Sequence, residues 1–193
     1  MQFPMLATIG WFALAPEAPR PAVTQIEAAP DGWWYCAPLP HNEAVMVRFT
    51  LPEPRFARSG SVNEQNAMAA QRFPGWNDAL CGAFPLANNT CRAESSLLEP
   101  VHGPMWLAVG DAALTVDPLS GDGVLRSMTM GAAAAHAIVA HLGGSPHALE
   151  EYAESVVRCD REYAASEQLL YSREQRWYAA PFWARRHSAL PAQ

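Results

Sequence analysis

Lysine is absent from the 193 residues, and all thirteen basic side chains are arginine. Acidic residues outnumber basic ones by 19 to 13, which gives a formal net charge of −6. Because nucleic acids and anionic membranes attract basic surfaces, this balance argues against both as partners. A chain without lysine also cannot itself supply a catalytic lysine.

Metal-binding and redox motifs are also missing. The four cysteines are far apart with no CxxC pair, and the six histidines form neither an HExxH motif nor an i,i+4 pair. We therefore expect no metal site, and reduced thiols in a cytoplasmic protein. No run of 18 apolar residues is present, which excludes a spanning helix, and the N-terminal segment lacks the basic region and cleavage site of a signal peptide.

The first half of the chain is rich in β-prone segments. Apolar or alternating runs separated by short turns lie at residues 5–14, 23–28, 33–39 and 44–50. The spacing of the last three runs predicts an antiparallel meander, and successive aromatic residues at 33–35 would place large rings on both faces of their strand. The composition that follows predicts three further elements: a helix over 63–73 with Ser61 as N-cap, a short helix over 76–81, and a strand over 89–95.

The second half is predominantly helical in pattern. The continuous apolar run Met105–Val109 predicts a strand that is covered on both faces. A helix is predicted from Gly123 to the Gly143-Gly144 stop, and a last long helix from near Ala148 towards Trp177. The apolar positions that follow helical spacing in the first of these helices are Leu125, Met128, Ala132, Ala135, Val139 and Leu142.

One stretch carries a pattern typical of ligand binding. The predicted strand ends at Gly110-Asp111, which places a carboxylate at the carboxyl edge of a strand, where α/β sheets bind ligands. The loop Pro118–Gly123 then opens a helix whose free amides attract negative charge. The same pattern is typical of a simple turn and capped helix, with Asp117 or Ser120 as N-cap, and spacing alone leaves both interpretations open.

The string VGDAALTVDPLSGDG, residues 109–123, resembles the second FAD-contacting motif of the p-hydroxybenzoate hydroxylase-like flavoproteins. Flavin monooxygenases, geranylgeranyl reductases and flavin-dependent tryptophan halogenases share that fold. The DPLSG form is most similar to the halogenases and to enzymes of quinone-cofactor maturation. DGWWYCAPLP, residues 31–40, and REQRWYAAPFWARR, residues 173–186, resemble further segments of such proteins, so the resemblance covers nearly the whole chain.

The resemblance implies an FAD-dependent oxidoreductase and assigns cofactor contacts. Asp111 would accept a hydrogen bond from a ribityl hydroxyl, while Gly110 and Ala112 shape the turn around it. The remaining implied contacts are Pro118, beside the isoalloxazine, and backbone amides at Leu119, Ser120, Gly121 and Gly123, facing the pyrimidine edge of the ring. These residues hold and tune the cofactor, and the resemblance identifies no catalytic acid or base.

Two aromatic residues are candidates for the wall of a substrate pocket. Trp34 and Tyr35 stand on the sheet that covers the flavin in this fold, although each is also typical of an ordinary core aromatic residue. Arg48 and Arg126 could meet an acidic substrate or a phosphate, but solvated surface arginine is the expected state of both.

The resemblance implies an α+β fold in which an antiparallel substrate-domain sheet with short helices, residues 1–100, is followed by two further segments. Residues 101–145 would form the flavin-contacting strand–loop–helix, and residues 146–193 a long C-terminal helical segment. The GxGxxG of the Rossmann half is absent, as is the WxWxIP signature of the halogenases.

We therefore expect the C-terminal half of a monooxygenase- or halogenase-like enzyme that acts on a small-molecule substrate. The chain would be a fragment or one subunit of a split protein, and would need an N-terminal dinucleotide-binding partner chain or form a homo-oligomer. We expect little catalysis by the chain alone. The alternative is a non-catalytic binding or assembly module derived from the same fold.

Overall fold

The computed structural model of the protein describes residues 4–52 and 73–187. Its strands are β1 (Leu6–Ala13), β2 (Gln25–Ala29), β3 (Gly32–Leu39), β4 (Glu43–Thr50), β5 (Phe84–Arg92), β6 (Ser96–Leu97), β7 (His102–Gly103), β8 (Trp106–Leu107) and β9 (Leu114–Thr115). Its helices are α1 (Asn77–Leu80), α2 (Gly123–Leu142), α3 (Ala148–Ser172) and α4 (Pro181–His187). None of the helices in these residues is long and apolar enough to cross a membrane.

The chain divides into two compact units. The sheet unit comprises the described residues within 4–93 together with 174–185, and the helical unit comprises 94–173 together with Arg186 and His187. An α+β fold with an antiparallel sheet and C-terminal helices was predicted from the sequence, and the structure confirms it.

The sheet unit is built on five antiparallel strands in the order β2-β3-β4-β1-β5. The meander predicted within residues 23–50 is confirmed as β2-β3-β4, and the run at 5–14 adds β1 to its open edge. The strand predicted over 89–95 is found as β5, which begins earlier, at Phe84. The short helix predicted over 76–81 is α1, whereas Ser61 and most of the helix predicted over 63–73 lie outside the described residues.

Large rings lie on both faces of β3, as the sequence predicts. On one face Trp34 is buried with Cys36 in a cluster that includes Phe12, Phe73 and Trp76. On the other face Trp33 stacks on Phe49 of β4, with ring centroids 3.8 Å apart. The two faces follow from the alternation of side chains along a strand.

The helical unit has its own core, in which α2 packs on α3. The buried side of α2 carries Arg126, Met130, Ala134 and Ala137, and the small alanines allow the helices to approach closely. The apolar stripe at Leu125, Met128, Ala132, Ala135, Val139 and Leu142, which the pattern assigns to one helix face, is instead exposed. Because α2 contains no carboxylate and is apolar on both sides, periodicity could not indicate which side faces the core.

The strand predicted at Met105–Val109 is reduced to the two residues of β8, which pair with β7. Met105 is 94% exposed and Trp106 48% exposed, so the prediction of a strand covered on both faces is wrong for the described residues. The backbone after β8 is held by two hydrogen bonds at Ala108 rather than by a longer strand pairing. The amide of Ala108 donates to the carbonyl of Val101 at 2.9 Å, and the hydroxyl of Tyr152 donates to the carbonyl of Ala108 at 2.9 Å.

The last helical segment is two helices rather than one. Helix α3 begins at Ala148 as predicted but ends at Ser172, and α4 begins at Pro181. Proline interrupts a helix in its interior but is tolerated in the first turn, where its missing N–H has no partner to lose. Pro181 therefore begins a separate helix beyond the point, near Trp177, to which the long helix was predicted to run.

Phe12 provides a test of the sheet core. Its side chain is fully buried, so Phe12→Ala should lower the free energy of unfolding by about 3–5 kcal/mol through lost burial and the cavity left behind. Phe84→Ala is a matched control, since Phe84 belongs to the same sheet but is 71% exposed, and should change stability by less than about 0.5 kcal/mol. Urea titration measures both, and equal losses in the two variants would contradict the assignment of this core.

Candidate functional site

The segment after β8 turns sharply at Gly110–Ala112. Gly110 adopts a left-handed conformation with φ of 61° and is buried. A Cβ added to it would lie 3.0 Å from Oγ of Ser127 in α2. Glycine is therefore required here both by the backbone conformation and by the close approach of α2.

The carboxylate of Asp111 lies at the surface of this turn and is bound on its inner side by a buried arginine. Its side chain is 71% exposed, and Oδ1 accepts a hydrogen bond from Nη2 of Arg126 at 2.7 Å. The side chain of Arg126 is only 3% exposed, and its Nη1 donates to the carbonyl oxygen of Leu114 in β9. The aromatic ring of Tyr163 in α3 lies 5.8 Å from the guanidinium carbon.

The expectation that Arg126 and Arg48 are solvated surface residues is therefore wrong. Arg126 is turned inwards because it shares the buried side of α2. Arg48 is paired with Asp31, and its guanidinium lies 5.5 Å from the ring of Trp34, the residue directly opposite on β3. Cross-strand pairing thus gives Arg48 an aromatic surface to cover, which composition alone does not indicate.

The loop that leads into α2 is organised by Asp117. Its Oδ1 accepts a hydrogen bond from the amide of Leu119 at 2.9 Å, which caps the short 3-10 turn Pro118–Ser120. Gly121 ends that turn in a left-handed conformation with φ of 70°. Of the two N-cap candidates, Asp117 is thus the cap, but of the preceding turn rather than of α2.

The start of α2 itself has no side-chain cap. Asp122 occupies the N-cap position without a capping hydrogen bond from its side chain. A Cβ added to Gly121 or Gly123 would meet no described atom within 4 Å, so space is open over this end of the loop. Amides at a helix start that no side chain caps favour an anion or a group that gains negative charge.

The buried side of the loop is anchored by the end of α3. The hydroxyl of Tyr171 donates to Oδ2 of Asp117 at 2.8 Å. Burial raises the pKa of Asp117, although hydrogen bonds from Leu119 and Tyr171 and the charge of Arg186 oppose the shift. The guanidinium of Arg186 lies 4.6 Å from the ring of Tyr171, and Nε2 of His187 lies 3.0 Å from that residue's carbonyl oxygen.

A cavity of about 280 Å³ lies between α3 and the β6–β9 strand pair. Among the residues that line it are Glu99, Asp160, Glu167 and Tyr163, with no basic side chain. Burial, reinforced by the nearby Asp117, raises the pKa of Glu167, and Oγ of Ser95 donates to Glu167 at 3.3 Å. In the part of the chain that the structure describes, no group of three or more His, Cys, Asp or Glu side chains could hold a metal ion.

The cofactor-contact candidates lie in the helical unit, and the two pocket-wall candidates lie in the sheet unit. Asp111, Ala112 and Pro118 are exposed, and Leu119 and Ser120 half-buried, all within the helical unit. Trp34 lies in the core of the sheet unit and Tyr35 is half-buried there, and their role as pocket walls stays a prediction. Sequence reasoning missed the support that Arg126 and Tyr171 give to the site. The signal for Arg126 was its position as the one arginine of a helix that contains no Asp, Glu or Lys.

No model of a known protein family matches the chain. LodB of Marinomonas mediterranea, assigned as an FAD-dependent oxidoreductase, is 28% identical over 200 residues. The match covers 95% of this chain and 49% of LodB, so the chain spans about half the length of the curated relative that it matches.

Solved structures of flavin enzymes share the fold. The peptidyl tryptophan dihydroxylase QhpG, essential for tryptophylquinone cofactor biogenesis, superposes with a TM-score of 0.82 and 23% identity, over 100% of this chain and 46% of QhpG. The flavin-dependent halogenase CmlS superposes with a TM-score of 0.78 and 18% identity, over 99% of this chain and 36% of CmlS. The chain thus has the fold of the C-terminal half of FAD-dependent oxidoreductases of the hydroxylase and halogenase type, as the motif at 109–123 predicts.

Asp117 should leave a signature in the pH dependence of stability. A carboxyl whose pKa is raised in the folded state binds its proton more tightly there than in the unfolded chain, so the free energy of unfolding should fall as pH rises from 3.8 through the folded pKa. Asp117→Asn should flatten this fall. Tyr171→Phe removes a bond that lowers the pKa of Asp117, and should extend the fall to higher pH. Urea titrations across this pH range would contradict the assignment if all three proteins gave the same slope.

Proposed function

We propose that this chain supplies the ribityl-binding and ring-facing part of the FAD site of an oxidoreductase. The observation that carries the proposal is the exposed Asp111 carboxylate, fixed at 2.7 Å by a buried arginine. It stands on the turn that packs against the first turns of α2, whose start is open and uncapped. The similarity to LodB and the shared fold with flavin enzymes support the choice of cofactor.

The residues present fit FAD at this place. The outer oxygen of Asp111 would accept a hydrogen bond from a ribityl hydroxyl, with Gly110 and Ala112 forming the turn beneath it. Pro118 would pack beside the isoalloxazine. The open space at Gly121 and Gly123 lets a planar ring approach the backbone. The amides of Leu119, Ser120 and Gly121 donate to acceptors within the loop, so the amide of Gly123 at the start of α2 is the one that would face the pyrimidine edge.

The electrostatics of the loop suit a redox cofactor. Bound FAD supplies electron transfer between a substrate and an external donor or acceptor. The uncapped amides at the start of α2 would stabilise negative charge on the reduced ring without having to reorganise. Asp117, buried and tied to Tyr171, keeps the loop in place, because its second oxygen holds the Leu119 amide. We assign this work to the segment 101–145, with 1–100 contributing the substrate-side sheet and 146–193 the helical support.

The proposed reaction class is oxidation of a bound substrate, monooxygenase- or halogenase-like. QhpG is a peptidyl tryptophan dihydroxylase and CmlS is a halogenase. These two activities define the range of reactions that we propose for the present chain. A small molecule or an exposed side chain of a second protein would then be oxidised next to the ring-facing loop.

The ADP part of FAD needs a site that these residues do not provide, and we propose that a dinucleotide-binding half supplies it. The outer side of α2 is the surface that we assign to this half. Its exposed fractions are large for apolar side chains: Val124 78%, Leu125 67%, Met128 70%, Val139 71% and Leu142 80%. A helix with apolar side chains on two opposite sides is stable when both of these sides are covered. The 51% of LodB outside the match is of the size to cover it.

Flavin binding should depend on Asp111. Asp111→Ala removes a charged acceptor, which should weaken FAD binding by about 10- to 100-fold. Asp78→Ala is the matched control, because it removes an exposed carboxylate from the sheet unit and should leave affinity unchanged. The measurement is flavin fluorescence titration of the chain, alone and together with a co-expressed dinucleotide-binding half from the unmatched part of LodB.

The titration also separates the two functions that the sequence allows. Binding that is insensitive to Asp111→Ala would contradict the proposed site. A wild-type chain that takes up no FAD in either arrangement, yet unfolds cooperatively, would favour the non-catalytic binding module, whose ligand would then be sought in the cavity beside Glu167.

Association with the second half should depend on the outer side of α2. Leu142→Asp places a charge on this surface and should abolish co-purification of the two halves, while the unfolding temperature stays within about 2 °C because the residue is already exposed. Leu169→Asp makes the same change at an exposed position of α3 and should leave the complex intact. Light scattering distinguishes the outcomes: loss of a homodimer rather than of the complex would assign the surface to a second copy of the chain.

A further inference from the structure

Arg126 lies at a buried position, where desolvation of its guanidinium costs free energy. Its side chain is 3% exposed on the helix side that also buries Met130, Ala134 and Ala137. Its Nε is buried and finds no hydrogen-bond partner among the described residues. An apolar side chain of similar length would fill this position without the desolvation of a cation or an unsatisfied donor. Stability of the helix pair therefore does not explain the choice of arginine.

The hydrogen-bond partners of Arg126 indicate what an arginine contributes at this position. The two terminal nitrogens of its guanidinium divide between two acceptors on the segment after β8, one on a side chain and one on the backbone. Nη1 donates to the carbonyl oxygen of Leu114, which is fully buried, and Nη2 donates to the exposed carboxylate of Asp111. One planar group thus fixes the direction of the Asp111 side chain relative to a rigid backbone atom.

The pairing also gives the two oxygens of the Asp111 carboxylate different surroundings. Arg126 binds Oδ1, and within the described part of the chain Oδ2 accepts no hydrogen bond. The exposed side chain would otherwise be free to rotate among its rotamers. Held in this way, Asp111 offers a preoriented acceptor to a hydroxyl group above the turn, which lowers the entropic cost of binding.

We propose that Arg126 is a positioning residue for the ribityl hydroxyl contact of Asp111. This inference rests on the proposed function, because it names a residue that acts on the same site from below. Arg126 does not touch the ligand. Its effect on the cofactor passes through Asp111, and a lysine cannot replace it, because a single ammonium at that depth lacks the planar fork that serves both Leu114 and Asp111.

A double-mutant cycle on FAD affinity tests this. Arg126→Met should weaken binding about tenfold when Asp111 is present, and less than about twofold in the Asp111→Ala background. Arg126→Lys, which keeps the charge, should lose about as much as Arg126→Met, and no more than a twofold change in Arg126→Lys would overturn the proposal. Equal fold-changes in both backgrounds would also overturn it, because a structural role of Arg126 would act whether or not Asp111 is there.

A flavin-free measurement tests the inference independently of the proposed function. Amide hydrogen exchange of residues 110–113 should be faster in Arg126→Met than in wild type, and the increase should be absent in the Asp111→Ala background. Exchange unchanged by Arg126→Met, or increased equally in both backgrounds, overturns the positioning role. If wild type binds no FAD, the proposed function fails while hydrogen exchange still decides whether Arg126 positions Asp111. If Arg126→Met does not fold, Arg126→Lys carries both measurements.

Discussion

The buried guanidinium of Arg126 joins α2 to two other parts of the helical unit, the segment after β8 and helix α3. It reaches Asp111 in the turn after β8, the carbonyl of Leu114 in β9, and the ring of Tyr163 in α3. Each contact links segments that are distant in sequence, so the candidate site exists only when the helices have packed. A cation in this position must be neutralised, and the carboxylate that neutralises it, that of Asp111, is itself exposed.

A second set of contacts holds the loop that follows. Asp117 is buried, and its two oxygens accept from Leu119 within the loop and from Tyr171 at the end of α3. The carboxylate at the N-cap position of α2 is that of Asp122, which makes no capping hydrogen bond, so the first amides of the helix stay open beside two unobstructed glycines. Such amides favour an anion or a group that gains negative charge.

Helix α2 has more apolar surface than the described residues cover, and the related proteins are about twice as long as this chain. One side of this helix packs on α3, while the other presents a continuous row of exposed aliphatic side chains. The chain matches about half of LodB and less than half of QhpG and CmlS. The dinucleotide-binding half that we propose as a partner would cover this row, and with it the exposed Met105 and the half-exposed Trp106 of the neighbouring segment.

The sequence by itself determined the elements that depend on local pattern: the strands within residues 5–50, the helix from Gly123 and the glycine–aspartate motif at 110–111. Alternation, helical spacing and turn residues act over a few positions, so they can be recognised without the fold. Only the tertiary structure decided which side of α2 is buried, that β8 is two residues long, and that Arg126 supports Asp111 from below. These depend on which surfaces meet, and a helix with two apolar sides or an arginine with several candidate acceptors offers no local signal to choose between them.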